Sequence, residues 1–207
     1  MLRIVDFTLA LVGLVFALPL LLVVMLVIRL DSPGRALFAQ TRVGRDLQPF
    51  TCYKLRTMRA GTRQAASHEV GSAAITGIGK VLRRTKLDEL PQLWNVVCGE
   101  MSLVGPRPCL PTMDEMIRQR TARGVHRLRP GLTGWAQVNG RNALSWEEKF
   151  ALDVYYVDNQ SMWLDLKILF VTLAHLIRPS GISSEGSATM PEFMGSAARS
   201  PPADEEP

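Results

Sequence analysis

Cysteine is scarce in this chain. Three occur in 207 residues, Cys52, Cys98 and Cys109, and none forms a CxxC pair. Their number and spacing exclude a disulfide framework and a thiolate zinc site, and they fit a reducing compartment. Histidine is equally thin: His68, His126 and His175 are scattered, and no chemistry is assigned to them. Aromatic residues make up 7%. They are not interleaved with basic residues as stacking platforms for nucleic acid require, so nucleic acid is disfavoured as a partner. No internal repeat is present.

Charge is missing altogether from Phe7 to Ile28, 22 residues without an ionisable side chain. As a straight helix this run is about 33 Å long, enough to cross the hydrocarbon core. No A-x-A-like cleavage site follows, and the run is long for a signal peptide. Pro19 lies near its middle. It removes one backbone donor and crowds the carbonyl of Val15. Two readings follow: a kinked spanning helix, or a re-entrant hairpin with both ends on one face of the membrane. Hydropathy does not choose between them. The arginines after Ile28 belong in the cytoplasm in either case.

Acidic residues are scarce next. Residues 29–141 hold 19 Lys and Arg against 8 Asp and Glu, a net of +11, whereas the rest of the chain is acidic. Such a block suits a phosphate-rich partner: anionic lipid headgroups, a nucleotide or a nucleic acid. An ordinary solvated basic surface is the plain alternative.

Among these basic residues one acidic pair stands out, Asp88-Glu89, just before Pro91, where a helix is expected to begin. The positive end of a helix favours an ionised carboxylate. An ionised Asp can attack an activated phosphorus, and a neighbouring Glu can hold Mg²⁺ against phosphate oxygens. Pro106 and Pro108 flank Arg107, which lowers the entropy lost when its guanidinium grips an anion. Prolines rigidify any turn, however, and a lone acidic pair is usually solvated.

The remaining pattern reads as small elements. Residues 37–58 form two strands about a turn at Gly44-Arg45-Asp46. Lys54 and Arg56 alternate on one face of the second strand, either substrate-facing or simply exposed. Residues 60–77 read as a mobile loop. A basic helix starts near Ile78. Leu90, Leu93, Trp94 and Val97 mark one apolar helix face. Leu103-Val104 is a short strand, 112–123 a polar helix, and Gly134–Asn139 a strand. Ser145 and Glu148 form a capping box opening a helix to about Val157. The last helix runs from about Met162 to Ile177. Leu166, Leu169, Phe170, Leu173, Leu176 and Ile177 share one broad face, and Asp165, Thr172 and His175 lie away from it. This helix either packs on the core or lies in a membrane interface.

KLRTM (54–58), LDELPQLWNV (87–96), SLVGPRP (102–108), RPGLTGWAQVNGRN (129–142) and LDVYYVDN (152–159) resemble the bacterial sugar transferase family. Its monotopic members are polyprenyl-phosphate phosphoglycosyl transferases. The resemblance covers residues 1 to about 195, and several long motifs in order make it specific. It implies Asp88 as the nucleophile on the β-phosphorus of a UDP-sugar, with UMP leaving. It implies Glu89 as the Mg²⁺-binding acid, Arg107 as a phosphate binder and Arg141 as a nucleotide neighbour. Lys54, Arg56, Arg83 and Gln137 complete the substrate-binding candidates. Polyprenyl (undecaprenyl) phosphate then takes the phosphosugar. Small single-domain members carry Ser-Pro at the helix break, where this chain has Leu18-Pro19, so the break rests on Pro19 and its packing.

The expectation is an α+β, mostly helical enzyme. It has a re-entrant membrane helix (1–30), a catalytic domain (31–195) resting on the cytoplasmic face of the inner membrane through interfacial helices, and a disordered tail (196–207). A dimer is one option for its assembly. The rivals are a glycosyltransferase releasing UDP and a non-catalytic anionic-lipid-binding protein.

Overall fold

The computed structural model describes residues 3–59, 61–62, 74–140 and 144–177. The 60–77 loop therefore lies largely outside the described residues, and Arg141 and the 196–207 tail lie wholly outside them.

The apolar run forms one helix, α1 (Arg3–Asp31), 29 residues long, assigned as helix through Pro19. The β-hairpin of β1 (Leu37–Val43) and β2 (Pro49–Leu55) follows, antiparallel, with Phe38 opposite Lys54 and Ala39 opposite Tyr53. Then come α2 (Gly77–Thr85), α3 (Gln92–Cys98), β3 (Ser102–Val104), α4 (Asp114–Ala122), β4 (Gly131–Thr133), α5 (Trp135–Val138), α6 (Trp146–Asp158) and α7 (Met162–Ile177). Strands β3 and β4 pair in parallel, Ser102 with Gly131 and Val104 with Thr133. Helices dominate, with two small two-stranded sheets among the described residues.

One stripe of α1 lies against the rest of the protein along its whole length. At the start, the Arg3 guanidinium donates to the carbonyls of Val96 and Val97, in the last turn of α3. Asp6 is buried and accepts from the Ser102 hydroxyl at 2.7 Å and the Leu103 N–H at 3.1 Å. Midway, Gly13 faces Leu93. Further on, Leu21 and Ile28 pack with Ala36, Leu55 and Leu82. At the far end Arg56 donates to the carbonyls of Ile28, Ser32 and Pro33 at 2.6–3.1 Å. The Ile28 carbonyl, in the last turn of α1, also accepts the Ser32 N–H at 3.2 Å. The opposite side of α1 is bare: Ile4 is 79% exposed, Phe16 80% and Leu30 79%.

The main core gathers Phe50, Cys52, Val96, Met101, Val104 and Tyr156 with Ile168 of α7. Helix α7 turns Asp165 and Ile168 inward, both fully buried. Asp165 accepts the Tyr156 hydroxyl at 2.7 Å, and Thr172 meets Thr133 at 2.8 Å. Its apolar stripe points out: Trp163 is 82% exposed and Phe170 75%, with Leu166, Leu173 and Leu176 also exposed. The core-packing expectation holds for Ile168 and for Leu169, which lies against the main core, while the rest of the stripe faces out. The polar face packs, because Asp165 and Thr172 find buried hydrogen-bond partners there.

Two other expectations need correction. Residues 135–138 are helical, not a strand. Gly134 presses its backbone against Gly105, where an added Cβ would lie 2.1 Å from the Gly105 carbonyl oxygen. The chain turns there, and Trp135 stacks on Tyr155 at 5.7 Å. On α3, Leu93 is buried as expected, but Trp94 is half exposed and Asn95 takes an inward position. Asn95 donates to the Thr51 carbonyl at 2.7 Å and accepts the Tyr53 N–H at 3.2 Å. It closes the free edge of β2, which an apolar side chain cannot do.

Candidate active site

Asp88 and Glu89 sit in a single 3₁₀ turn, Leu87–Glu89, between α2 and α3. Lys86 enters that turn in the left-handed conformation, φ +61°. The turn packs beside β2, which brings Lys54 to Glu89. Lys54 Nζ lies 3.3 Å from Glu89 Oε1, and the Arg107 guanidinium donates to the same oxygen at 2.9 Å. Burial alone would raise the Glu89 carboxyl. Arg107 and Lys54 outweigh it and hold the group well below the usual carboxylate range. Glu89 in turn raises Arg107, and burial lowers Lys54 against the pull of Glu89.

Asp88 is in the opposite state. It is buried, and its Oδ1 has no hydrogen-bond partner among the described residues. Burial, then the adjacent Glu89, pushes its pKa up. The expectation that a helix start would favour the ionised form is thus reversed in sign. The carboxylate sits a turn ahead of α3, and desolvation dominates. Lys54, Lys86 and Arg107 pull it back down. Arg83 adjoins it electrostatically and is anchored by a hydrogen bond from Nε to Thr57 at 2.9 Å.

Arg107 is held from behind. Arg120 donates to the Arg107 carbonyl at 2.6 Å and to Asp153 at 2.7 Å, and both Arg120 and Asp153 are buried. Arg42 of β1 donates to the Pro108 carbonyl at 3.2 Å, and burial and then Arg107 lower its pKa to about 10. Lys149 on α6 is lowered to about 8 by burial and then by Arg107 and Arg120. Its ammonium lies 4.6 Å from the centre of the Trp146 ring.

The structure therefore gathers Lys54, Asp88, Glu89 and Arg107, with Arg83 beside Asp88. Arg56 is engaged at the end of α1. Gln137 donates to the Leu132 carbonyl at 3.3 Å, next to β4. Sequence reasoning missed Arg42, Arg120, Lys149 and Asp153. Arg42 was within reach of a period-two count. It lies opposite Phe50, on the same hairpin face as Lys54. The Arg120–Asp153 pair joins elements 33 residues apart and carries no local signal.

The carboxylate pair also fits a hard cation. Both contacts to Glu89 fall on Oε1, so Oε2 takes neither. Asp88 adds a buried oxygen without a partner. No cluster of three His, Cys, Asp or Glu exists among the described residues. Mg²⁺ needs only one or two carboxylates beside substrate phosphates and water.

An acidic pair set among lysine and arginine has the charges that phosphoryl chemistry calls for. The bacterial sugar transferase family pattern matches residues 1–179. The chain is 42% identical over 194 residues to the uncharacterized sugar transferase EpsL of Bacillus subtilis, covering 94% of this chain and 96% of that protein. It is 43% identical over 168 residues to the UDP-glucose:undecaprenyl-phosphate glucose-1-phosphate transferase of Caulobacter vibrioides, covering 77% of this chain and 63% of that one. It is 36% identical over 183 residues to the UDP-N-acetylgalactosamine-undecaprenyl-phosphate N-acetylgalactosaminephosphotransferase of Aeromonas hydrophila, covering 85% of this chain and 43% of that protein. The chain belongs to the bacterial sugar transferase family. It spans nearly all of the Bacillus relative and less than half of the Aeromonas one.

Proposed function

We propose that this protein transfers a sugar 1-phosphate from a UDP-sugar to polyprenyl phosphate and releases UMP. The observation that carries the reading is the buried, unpartnered Asp88 oxygen beside a Glu89 locked by Lys54 and Arg107. Asp88 attacks the phosphorus that bears the sugar. The bond from that phosphorus to the bridging oxygen breaks, and UMP leaves with the oxygen and its electron pair. A phosphosugar remains on the Asp88 carboxylate. An oxygen of polyprenyl phosphate then attacks the same phosphorus, the Asp88–phosphorus bond breaks, and the carboxylate is regenerated. Arg107 and Lys54 offset charge on the phosphoryl oxygens, and Arg83 steadies Asp88. Mg²⁺, held through Glu89, would supply further charge neutralisation on the diphosphate. The relatives' names, which specify UDP-sugars and undecaprenyl phosphate, support the same reaction.

The acceptor is a lipid, so the site belongs at headgroup height. We read α1 as re-entrant, bent about Pro19, with the domain on the cytoplasmic face of the membrane. Its two ends both hold the same globular body, Arg3 and Asp6 at one, Ile28 at the other. The outward apolar stripe of α7 gives that body a second contact with the bilayer.

The test is UDP-sugar without lipid acceptor. The expected result is a burst of UMP equal to enzyme and a protein mass raised by one phosphosugar, both lost in Asp88→Asn and in excess EDTA. UDP as product, or no UMP without polyprenyl phosphate, overturns the covalent route.

A further inference from the structure

A groove of about 620 Å³ runs between the second half of α1 and the outer face of the hairpin. Leu22, Met25 and Leu26 form one wall, and Leu37, Ala39 and Tyr53 the other. Arg29 and Arg35 also line it. The groove is separate from the active site. Tyr53 and Ala39 lie opposite each other on one face of the hairpin, whereas Lys54 lies opposite Phe38 on the other. Alternation along a strand therefore sets the groove and the Lys54–Glu89 contact on opposite faces of the sheet.

Leu22, Leu26 and Arg29 are spaced four and three apart, so they share one face of α1. They are exposed, as is Arg35. Arg29 lies about 10 Å further along the helix axis than Leu22. The result is an apolar slot with two guanidinium groups toward one end. Neither the Arg29 nor the Arg35 guanidinium makes a hydrogen bond or ion pair with a described residue. A soluble nucleotide or free phosphate would use the arginines and leave the apolar walls bare. A lipid with a phosphate headgroup uses both. Because the groove faces away from Lys54 and Glu89, a lipid phosphate held here is not placed to react.

We propose that this groove binds one anionic phospholipid of the surrounding bilayer, its acyl chain along Leu22, Met25 and Leu26 and its phosphate at Arg29 and Arg35. The bound lipid ties the hairpin that carries Lys54 to the membrane surface. The proposal rests on the membrane reading of α1 given above.

Native mass spectrometry of the full chain in detergent tests it. Delipidated protein is titrated with phosphatidylglycerol and, separately, with phosphatidylcholine of the same chains. The wild type should retain one phosphatidylglycerol in preference to phosphatidylcholine. Arg29→Gln with Arg35→Gln should weaken retention about 30-fold, taking about fivefold per headgroup-level arginine. Ala39→Trp, at an exposed position, should block the slot and weaken retention with charge unchanged. Arg84→Gln with Arg127→Gln, which removes the same charge elsewhere, should retain the lipid.

Equal retention of both lipids, or equal loss in the control pair, overturns the proposal. So does a raised KM for polyprenyl phosphate in the Arg29/Arg35 variant with phosphatidylglycerol retention intact, which would make the groove an acceptor site. UMP release is read on the same samples. Its absence from wild-type protein that shows the expected lipid pattern would count against the reaction alone.

Discussion

Asp88 is stabilised neither by a hydrogen bond to Oδ1 nor by exposure to water, and that has a thermodynamic consequence. Its folded pKa is raised, by burial first and Glu89 second. A raised carboxyl pKa gives stability below the unfolded value that is lost as pH climbs through the folded value. At neutral pH the ionised Asp88 therefore costs stability. Asp88→Asn should abolish turnover yet raise thermal stability, on the order of 1 kcal/mol. A variant that melts below wild type at pH 7 would mean Asp88 is held by attractive contacts instead. Arg120 makes a different prediction. It bridges the Arg107 carbonyl and Asp153, and a lysine is a point charge that cannot serve both. Arg120→Lys should keep the Asp153 pair and the fold but misplace Arg107, lowering kcat by roughly 10-fold to 100-fold with a smaller change in KM. Arg120→Met should cost about 3–5 kcal/mol, because it strands a buried charge. Wild-type kcat in the lysine variant would make the pair purely structural. Asp88, Glu89 and Arg107 were legible because each lies inside a contiguous motif. Arg56, expected to face substrate or solvent, is buried instead, because its guanidinium reaches carbonyls at the end of α1, more than 20 residues away in sequence.

At the scale of elements, local signals succeeded where the partner was local. Ser145 and Glu148 form the expected reciprocal cap of α6, three residues apart. The hairpin formed as its alternation and turn residues required, with Asp46 and Leu47 at positive φ in the connection. Signals failed where a distant partner decided the outcome. Asn95 displaced Trp94 from the interior of α3 because β2 needed an edge partner. In α7 most of the apolar stripe faces out, and a buried carboxylate faces in beside Ile168. A chain folding in water alone would not leave Trp163 and Phe170 so bare. Replacing both with Asp should lower the fraction of protein that sediments with membranes after mild detergent while leaving the circular dichroism spectrum unchanged, since neither side chain is in the core. Loss of folded structure would show that this stripe packs against protein, and unchanged sedimentation would show that α1 is sufficient as an anchor.

For the molecule as a whole, the geometry that favours the proposed topology is that the domain grips both ends of its apolar helix. Composition alone left two topologies open. A spanning α1 would carry Arg3 and Asp6 to the far side of a hydrocarbon core about 30 Å thick. Asp6 would then leave the Ser102 hydroxyl and Leu103 N–H, and Arg3 would leave α3. Those contacts are buried or half-buried, and losing them would strand polar groups of the domain without partners. The pattern was invisible in the sequence because Asp6 and Ser102 are 96 residues apart and both look unremarkable. With the free cysteines replaced, a single cysteine at position 2 should therefore resist a membrane-impermeant maleimide in intact spheroplasts and react once the membrane is opened. Asp6→Asn with Arg3→Gln removes the N-terminal clamp, and Pro19→Ala restores the missing backbone donor. Combined, these changes should shift a measurable fraction of the population to outside labelling, whereas either alone should shift less. Outside labelling of the otherwise unchanged chain would make α1 a spanning helix, and the contacts of Arg3 and Asp6 would then have to be absent in the membrane.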